Sequence, residues 1–148
     1  MSTQDHVAVV LEVFRAIERR DRQRILELFA PDIEFHWPPS LPYGGASRGP
    51  GSEGPTWVDT WDPLQPTEAE RRMDPRVVAT SPEHVVALWR QRGVNRAGDR
   101  FDGEVLGLYD VRGRRLARAQ MFYFDTAPLV GFLARAKGQS RPAETVNR

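Results

Sequence analysis

Side chains able to carry acid–base or hydrogen-bond chemistry are concentrated in a short stretch that runs from His36 to Tyr43. A histidine ordinarily titrates close to neutral pH, which makes His36 the natural candidate for proton transfer. Tyr43 follows in a loop, where its hydroxyl could donate a hydrogen bond to a carbonyl or epoxide oxygen. Each has a structural alternative: His36 could hydrogen-bond at an interface, and Tyr43 could pack the loop against the core. This stretch supplies two of three catalytic candidates.

The third candidate, Gln120, lies on the last predicted strand. Alternation puts Arg118, Gln120 and Phe122 on one face of that strand and Ala117 and Ala119 on the other. We expect the Phe122 face to line a pocket, with Gln120 as a neutral polar group and Arg118 near the rim. The face with Ala117 and Ala119 would then pack against a second copy of the chain.

Two carboxylates are further candidates. Glu104 lies within a predicted late strand and could be a base with a raised pKa, although acids in sheets usually face water. Residues 56–64 form a predicted short helix, with Trp57 and Trp61 stacked one turn apart. These tryptophans could line a pocket for a flat apolar ligand or belong to the core, and Asp59 lies between them, at the rim or in solvent.

Composition excludes several classes of function. The 21 basic residues nearly balance the 20 acidic residues, so nothing in the charge favours nucleic acid. The sequence has no cysteine, which rules out thiolate nucleophiles and disulfides. No apolar run approaches the roughly 20 residues that span a bilayer. We therefore expect a cytoplasmic protein that binds neither nucleic acid nor membrane.

Metal and cofactor sites are not predicted. The three histidines, His6, His36 and His84, do not have the spacing of metal ligands. The glycines near Gly44 do not follow the strand-to-helix pattern of a phosphate-binding loop. We expect a protein without a metal or a cofactor.

The predicted elements around these residues begin with two helices. Apolar residues at helical spacing in the first are Val7, Val10, Leu11, Phe14 and Ile17. Ser2 or Thr3 can cap this helix, and Pro31 ends the second helix. Residues 33–37 then alternate as a strand, which the prolines at 38 and 39 end.

Four more strands are predicted after the proline-rich region, over residues 76–80, 83–94, 101–111 and 114–124. Short turns between them indicate antiparallel neighbours. A last helix follows, capped by Asp125 or Thr126. The order predicts an α+β domain over residues 1–138, with helices packed on one face of a curved sheet, and a polar tail at residues 139–148.

Three segments carry a resemblance to a known family: Phe29 to Asp32, Pro38 to Gly45 (PPSLPYGG) and Phe122 to Asp125. With this order of elements, the chain resembles the SnoaL-like, polyketide cyclase-like branch of the nuclear transport factor 2-like superfamily. The resemblance implies a cone-shaped sheet around an apolar pocket. Pocket-lining residues expected on this basis and from strand alternation are Phe14, Trp37, Trp57, Trp61, Val105 and Phe122.

Two catalytic sets of the superfamily do not fit this sequence. The positions that correspond to a ketosteroid isomerase-like base, tyrosine and acid are Trp37, Val13 and Val105. For a limonene epoxide hydrolase-like set, Phe122 replaces the water-orienting aspartate. The Arg-x-Asp pair of that set corresponds to Arg90, Gln91 and Arg92, which leaves Arg90 without its acid.

The resemblance favours a cofactor-independent cyclase or isomerase that acts on an apolar, polyketide-like or polycyclic small molecule. Catalysis would use shape and one or two hydrogen-bond donors, with Tyr43, His36 and Gln120 as the candidates. A non-catalytic ligand-binding or dimerisation module is the main alternative, and an epoxide-opening enzyme that uses Glu104 is a weaker one. We expect a homodimer.

Overall fold

The computed structural model describes residues 2–49 and 63–138. Its helices are α1 (Thr3–Arg19), α2 (Arg22–Leu28), α3 (Glu68–Arg71) and α4 (Ala127–Gly138). Its strands are β1 (Phe29–Trp37), β2 (Gly45–Arg48), β3 (Arg76–Thr80), β4 (Val85–Val94), β5 (Arg100–Arg112) and β6 (Arg115–Tyr123). In the part of the chain that is described, no helix combines the length and the apolar character needed to span a membrane.

Helix α1 begins at a reciprocal cap. The Ser2 hydroxyl accepts a hydrogen bond from the Asp5 backbone N–H, and the Asp5 carboxylate accepts one from the Ser2 backbone N–H. Such a capping box satisfies two donors that the first turn leaves without partners. The apolar stripe predicted for this helix is directed at the sheet, where Val10, Val13 and Phe14 are buried.

The six strands form one curved, unclosed sheet in the order β2-β1-β6-β5-β4-β3. All neighbours are antiparallel except β1 and β6, which are parallel. The parallel pairing places the end of β1, and the loop after it, beside the end of β6. The loop that carries Tyr43 therefore lies close to Tyr123.

The core consists of two apolar clusters on the inner, helix-facing side of the sheet. The larger cluster joins α1 and α2 to β1, β4, β5 and β6. The smaller cluster includes Leu41, Phe101 and three buried residues of α4, Leu129, Phe132 and Leu133. Trp37 and Tyr123 pack against both clusters, so they lie at the boundary between them.

The α+β architecture and the four late strands agree with the sequence prediction, whereas three local features differ. Strand β1 begins at Phe29, before Pro31, and its register with β6 is interrupted between Phe29 and Glu34. Because this irregular part lacks regular ladder bonds, the strand tolerates a proline there. Strand β2 and the one-turn helix α3 were not predicted. Most of the predicted helix at residues 56–64 and the tail at 139–148 lie outside the described residues.

Candidate functional site

An apolar cavity of about 100 Å³ lies between the helices and the inner face of the sheet. Its walls come from α1, α2 and strands β1, β4, β5 and β6, together with Met73 before β3. Large side chains in these walls include Phe14, Ile25, Trp37, Trp89, Tyr109 and Met121. Among the described residues, no charged side chain lines the cavity. The cavity therefore suits an apolar group.

Aromatic side chains make one wall of the cavity rigid. Phe14 packs edge-on against Tyr109, with 5.9 Å between ring centroids, and lies 5.8 Å from Trp89. The Tyr109 hydroxyl donates to Met121 Sδ over 3.7 Å, and burial raises the pKa of Tyr109 far above its usual value. Tyr109 is therefore a neutral phenol in the folded protein.

A group of three polar side chains, which we call the tyrosine–glutamine trio, lies beside this cavity. The Tyr43 and Tyr123 hydroxyl oxygens are 2.9 Å apart and share a hydrogen bond. Gln91 Nε2 donates to the Tyr43 hydroxyl over 3.2 Å. Trp37 connects the trio to the cavity, because it lines the cavity and packs edge-on against Tyr43 at 5.2 Å between centroids.

Burial keeps both tyrosines of the trio protonated. It raises the pKa of Tyr43 to about 12, while the hydrogen bonds from Tyr123 and Gln91 oppose the shift. Burial also raises the pKa of Tyr123 well above its usual value, and the nearby Tyr43 adds to the effect. Removing a phenolic proton would leave a poorly solvated anion. Near neutral pH these groups can donate hydrogen bonds but cannot act as bases.

Local structure explains how the three side chains meet. Tyr43 is held by a tight loop in which the Leu41 N–H donates to the Pro38 carbonyl and the Gly44 N–H donates to the Leu41 carbonyl. Gln91 lies on the inner face of β4, two residues after Trp89. Tyr123 ends β6, where the parallel pairing with β1 brings it to the loop.

Gln91 and Tyr123 were not among the candidates predicted from the sequence. The sequence held a signal for Gln91, because strand alternation places it on the face of Ala87 and Trp89, opposite Arg90 and Arg92, and the structure buries that face. A glutamine in such a series is a buried polar group that needs partners. Tyr123 was assigned to the face opposite Phe122, and that face was expected to point away from the pocket.

The inner and outer faces of β6 are the reverse of the prediction. Ala119 and Met121 line the cavity, whereas Phe122 is 46% exposed on the outer face and pairs across the sheet with Leu106. Pocket lining by Phe122 was therefore a wrong prediction. Arg118 and Gln120 share the face of Phe122, whereas Ala119 and Met121 share the other face, so the alternation of polar and apolar residues favours the face that lies inside. Ala119 lines the cavity and Ala117 is buried. Their predicted role in packing against a second copy of the chain is therefore contradicted, because neither side chain is at the surface.

His36 and Gln120 also lie on the outer face, next to each other in the register of β1 and β6. His36 Nε2 is 3.1 Å from Glu34 Oε1, and β1 continues to Trp37 without a bulge that would turn His36 inward. Neither residue lines the cavity. Their positions do not support the catalytic roles expected from the sequence.

The charged candidates form ion pairs on the outer face. Arg90 Nε donates to Asp102 over 2.7 Å, and Arg90 Nη1 is 3.8 Å from Glu104. Glu104 is exposed on this face, whereas its expected role as a base requires burial among apolar residues. Arg118 lies in register with Glu34 on one side and Asp110 on the other, and it does not line the cavity.

The remaining pocket candidates divide into two groups. Phe14 and Trp37 line the cavity, and Val105 is completely buried in the same cluster without lining it. Trp57, Asp59 and Trp61 lie outside the described residues.

Sequence comparison identifies relatives that span most of the chain. Residues 10–119 match the SnoaL-like domain family. The chain is 30% identical over 126 residues to Rv0034, an uncharacterized protein of Mycobacterium tuberculosis, covering 85% of this chain and 94% of the relative.

Solved structures with the same fold include two bacterial proteins. A nuclear transport factor 2-like protein from Burkholderia xenovorans is 26% identical with a TM-score of 0.69, covering 92% of this chain and 98% of the other. A candidate polyketide cyclase from Xanthomonas campestris is 18% identical with a TM-score of 0.69, covering 88% and 98% of the two chains. At that lower identity the likeness concerns the fold alone. From its sequence match and its fold, the chain belongs to the SnoaL-like family of the nuclear transport factor 2-like superfamily.

Proposed function

We propose that this protein is a cofactor-independent isomerase or cyclase that acts on an apolar small molecule with a carbonyl group, of the polyketide or polycyclic aromatic class. The observation that carries the proposal is the hydroxyl pair of Tyr43 and Tyr123, which Trp37 connects to the apolar cavity. The relationship to a candidate polyketide cyclase through the shared fold is consistent with this class of substrate.

The proposed chemistry follows from the protonated state of the tyrosines. A phenol that stays neutral can donate to a substrate carbonyl, and this hydrogen bond strengthens as the oxygen gains negative charge on enolisation. Because the described walls of the cavity hold no base, a solvent water molecule accepts the proton from the carbon next to the carbonyl. Isomerisation or ring closure then proceeds from the resulting enol or enolate. The role assigned to Tyr43 from the sequence is retained, with Tyr123 as the second donor of the pair.

The size of the cavity determines the choice of probes. Sites for drug-sized ligands have volumes of roughly 300–1,000 Å³, several times the about 100 Å³ found here. A cavity of similar size in another protein accepts benzene. Small aromatic ketones such as acetophenone are therefore suitable probes, whereas a polycyclic substrate would require Trp37 or neighbouring side chains to move.

Exchange of the acetophenone methyl protons for deuterium tests catalysis without knowledge of the natural substrate. In deuterium oxide, a solvent molecule accepts a proton from the carbon next to the carbonyl while the hydroxyl pair stabilises the enolate oxygen, and the solvent then returns a deuteron to that carbon. We expect the protein to accelerate this exchange. Tyr43→Phe or Tyr123→Phe should slow the exchange by about 100-fold, as loss of an oxyanion donor does. The Kd of acetophenone should change by less than about tenfold.

Two further variants complete this test. His36→Ala is the matched control, because His36 lies on the outer face, and exchange should be unchanged. Asp59→Asn tests whether the carboxylate between Trp57 and Trp61 in the sequence accepts the proton, and exchange should be unchanged where solvent accepts it. Exchange at the same rate in the wild type and both tyrosine variants would contradict the proposed catalytic role of the hydroxyl pair.

A non-catalytic ligand-binding module is the second candidate function. Within the described residues the cavity has neither a carboxylate nor an imidazole that could accept a proton, and this observation favours binding without catalysis. The two candidates differ in one result: a binding module takes up acetophenone without accelerating exchange. The epoxide-opening alternative loses its support, because Glu104 lies on the outer face.

We also propose that the outer face of the sheet binds a second copy of the chain. Leu106 and Phe122, which are cross-strand partners, are 37% and 46% exposed there. Charges of both signs flank this pair, with Arg118 beside Asp110 on one side and Arg90 beside Glu104 on the other. An apolar centre between rows of mixed charge can be complementary to an identical surface.

A further inference from the structure

Gln91 is the least accessible member of the tyrosine–glutamine trio. Its side chain is completely buried on β4, between Trp89, which lines the cavity, and Gly93. Its Nε2 donates to the Tyr43 hydroxyl, but its Oε1 has no hydrogen-bond partner within the described residues. A buried oxygen without a partner destabilises the fold, because it has lost its hydrogen bonds to water and gained none in the protein. A ligand that supplies a donor at this point restores a hydrogen bond.

The missing partner of Gln91 must be a donor, because a carbonyl oxygen can only accept hydrogen bonds. The adjacent hydroxyl pair can donate to a carbonyl oxygen of the ligand. A ligand that satisfies both sides of the trio therefore carries a hydroxyl group and a carbonyl group close together on an apolar frame.

We propose that Gln91 selects substrates that carry a hydroxyl near their carbonyl, such as phenolic ketones and enolised diketones, by accepting the hydroxyl hydrogen at Oε1. This inference rests on the proposed function, because the same trio binds both groups. It makes Gln91 a specificity-determining residue. A site built to pair with a hydroxyl discriminates against analogues that lack one, because its own polar group is then left without a partner.

The test is isothermal titration calorimetry with meta-hydroxyacetophenone, meta-methoxyacetophenone and acetophenone. The methoxy compound replaces the hydroxyl hydrogen with a methyl group, and acetophenone removes the hydroxyl without adding volume. We expect the hydroxy compound to bind about fivefold to tenfold more tightly than either analogue, the difference that one buried hydrogen bond makes. Gln91→Met, which has similar length but no amide, should reduce both ratios to about one.

Two variants control for indirect effects on the core. Gln91→Glu retains an oxygen acceptor, so it should keep the preference for the hydroxy compound even if Gln91→Met folds poorly. Gln65→Met removes another completely buried glutamine whose amide atoms also lack partners among the described residues. Because Gln65 lies outside the trio, this variant should bind all three ketones as the wild type does.

Other outcomes separate this inference from the proposed function. If the ketones bind with no preference, or if the preference survives Gln91→Met, the proposed role of Gln91 is contradicted. The proposed ligand site beside the trio is then retained, because the ketones still bind. A preference for the analogues without a donor would mean that the amide presents Nε2 to the ligand, which also overturns the inference. If none of the three ketones binds, both the inference and the proposed function are wrong.

Discussion

At the scale of single residues, the candidate site depends on keeping phenols neutral. Tyr43 and Tyr123 are hydrogen-bonded to each other and to Gln91 in a region where a phenolate would be poorly solvated. A neutral phenol beside an apolar cavity is a directional donor with little tendency to transfer its proton in the ground state. This property favours stabilisation of an enolate oxygen over acid catalysis by a charged group.

The pH dependence of tyrosine ionisation follows from these pKa shifts. Burial raises the pKa of all three tyrosines of the chain, that of Tyr43 to about 12. Ultraviolet titration should therefore show almost no tyrosinate at pH 10 in the folded protein. In denaturant, tyrosine ionises near its ordinary pKa of 10.0. A folded-state midpoint near pH 10 for any of the three would contradict the burial described for it.

Stability should depend on pH in the same window. Between pH 10 and about 12 the folded state retains the phenolic proton of Tyr43 that the unfolded state has lost, so the folded state binds more protons. The free energy of unfolding is then unaffected by these groups below pH 10 and falls as pH rises toward 12. Urea denaturation across this range measures the effect. The variant Tyr43→Phe should show a shallower decrease than the wild type.

The shared hydrogen bond also makes a measurable contribution to stability. Tyr123→Phe removes one hydroxyl of the pair and should lower the free energy of unfolding by about 1 kcal/mol, a typical value for one buried hydrogen bond. Urea denaturation at pH 7 measures this difference. Combining Tyr123→Phe with Tyr43→Phe should cost less than the sum of the single changes, because both remove the same bond. Strict additivity would show that the two hydroxyls do not interact.

At the scale of elements, the position of Tyr43 depends on the loop between β1 and β2. Gly44 follows Tyr43 there, and a Cβ at this position would overlap the backbone carbonyl oxygen of Pro38. Gly44→Ala should displace the loop and destabilise the fold by at least about 1 kcal/mol. It should also weaken the binding of acetophenone. Gly138→Ala is the matched control, because a Cβ there meets no atom within 4 Å. Equal stability of the two variants would contradict the dependence of the loop conformation on Gly44.

Sequence patterns predicted most elements but not which face of β6 is the inner face. Period-two alternation places Phe122 on the same face as Arg118 and Gln120, and it places Met121 and Tyr123 on the other. The two polar side chains favour an outer position for the Phe122 face, and the prediction gave more weight to the size of Phe122. The packing of α1 and α2 against Ala119 and Met121 agrees with the polar pattern. Strand β2 was not predicted either, because its sequence, Gly45 to Arg48, is polar and lies in a proline-rich region.

The trio itself illustrates why the site was harder to predict than the fold. Tyr43 and Tyr123 are 80 positions apart, and the parallel pairing of β1 with β6 brings them together. No local sequence pattern predicts the pairing of these two strands. Gln91 was predicted to lie in a strand, but its partner, Tyr43, comes from a loop 48 positions away. Tyr43 was a candidate because of its place in a predicted loop, whereas Gln91 and Tyr123 join it only through tertiary structure.

At the scale of the whole molecule, the sheet separates two surfaces with different roles. The inner face carries the cavity and the trio, whereas the outer face carries His36, Gln120, Phe122 and the ion pairs. Most residues first considered for catalysis lie on the outer face. They are better placed to contact a second copy of the chain than a substrate.

Sedimentation velocity tests the proposed dimer. Phe122→Arg places an additional charge at the apolar centre of the outer face, so it should convert a dimer into monomers. Leu26→Arg is the matched control, since Leu26 is 47% exposed but lies on α2 in the helix layer; this variant should remain dimeric. A wild-type protein that sediments as a monomer at all concentrations would contradict the proposal.

In the proposed function, the cavity and the hydroxyl pair together bind an apolar molecule through its carbonyl oxygen. A calorimetric comparison of acetophenone with ethylbenzene, in the wild type and in the Tyr43→Phe/Tyr123→Phe double variant, tests it most directly. The wild type should bind acetophenone about fivefold more tightly than ethylbenzene, as expected for one buried hydrogen bond, and the double variant should bind both alike. Absence of binding, or a preference for the ketone that survives in the double variant, would contradict the claim.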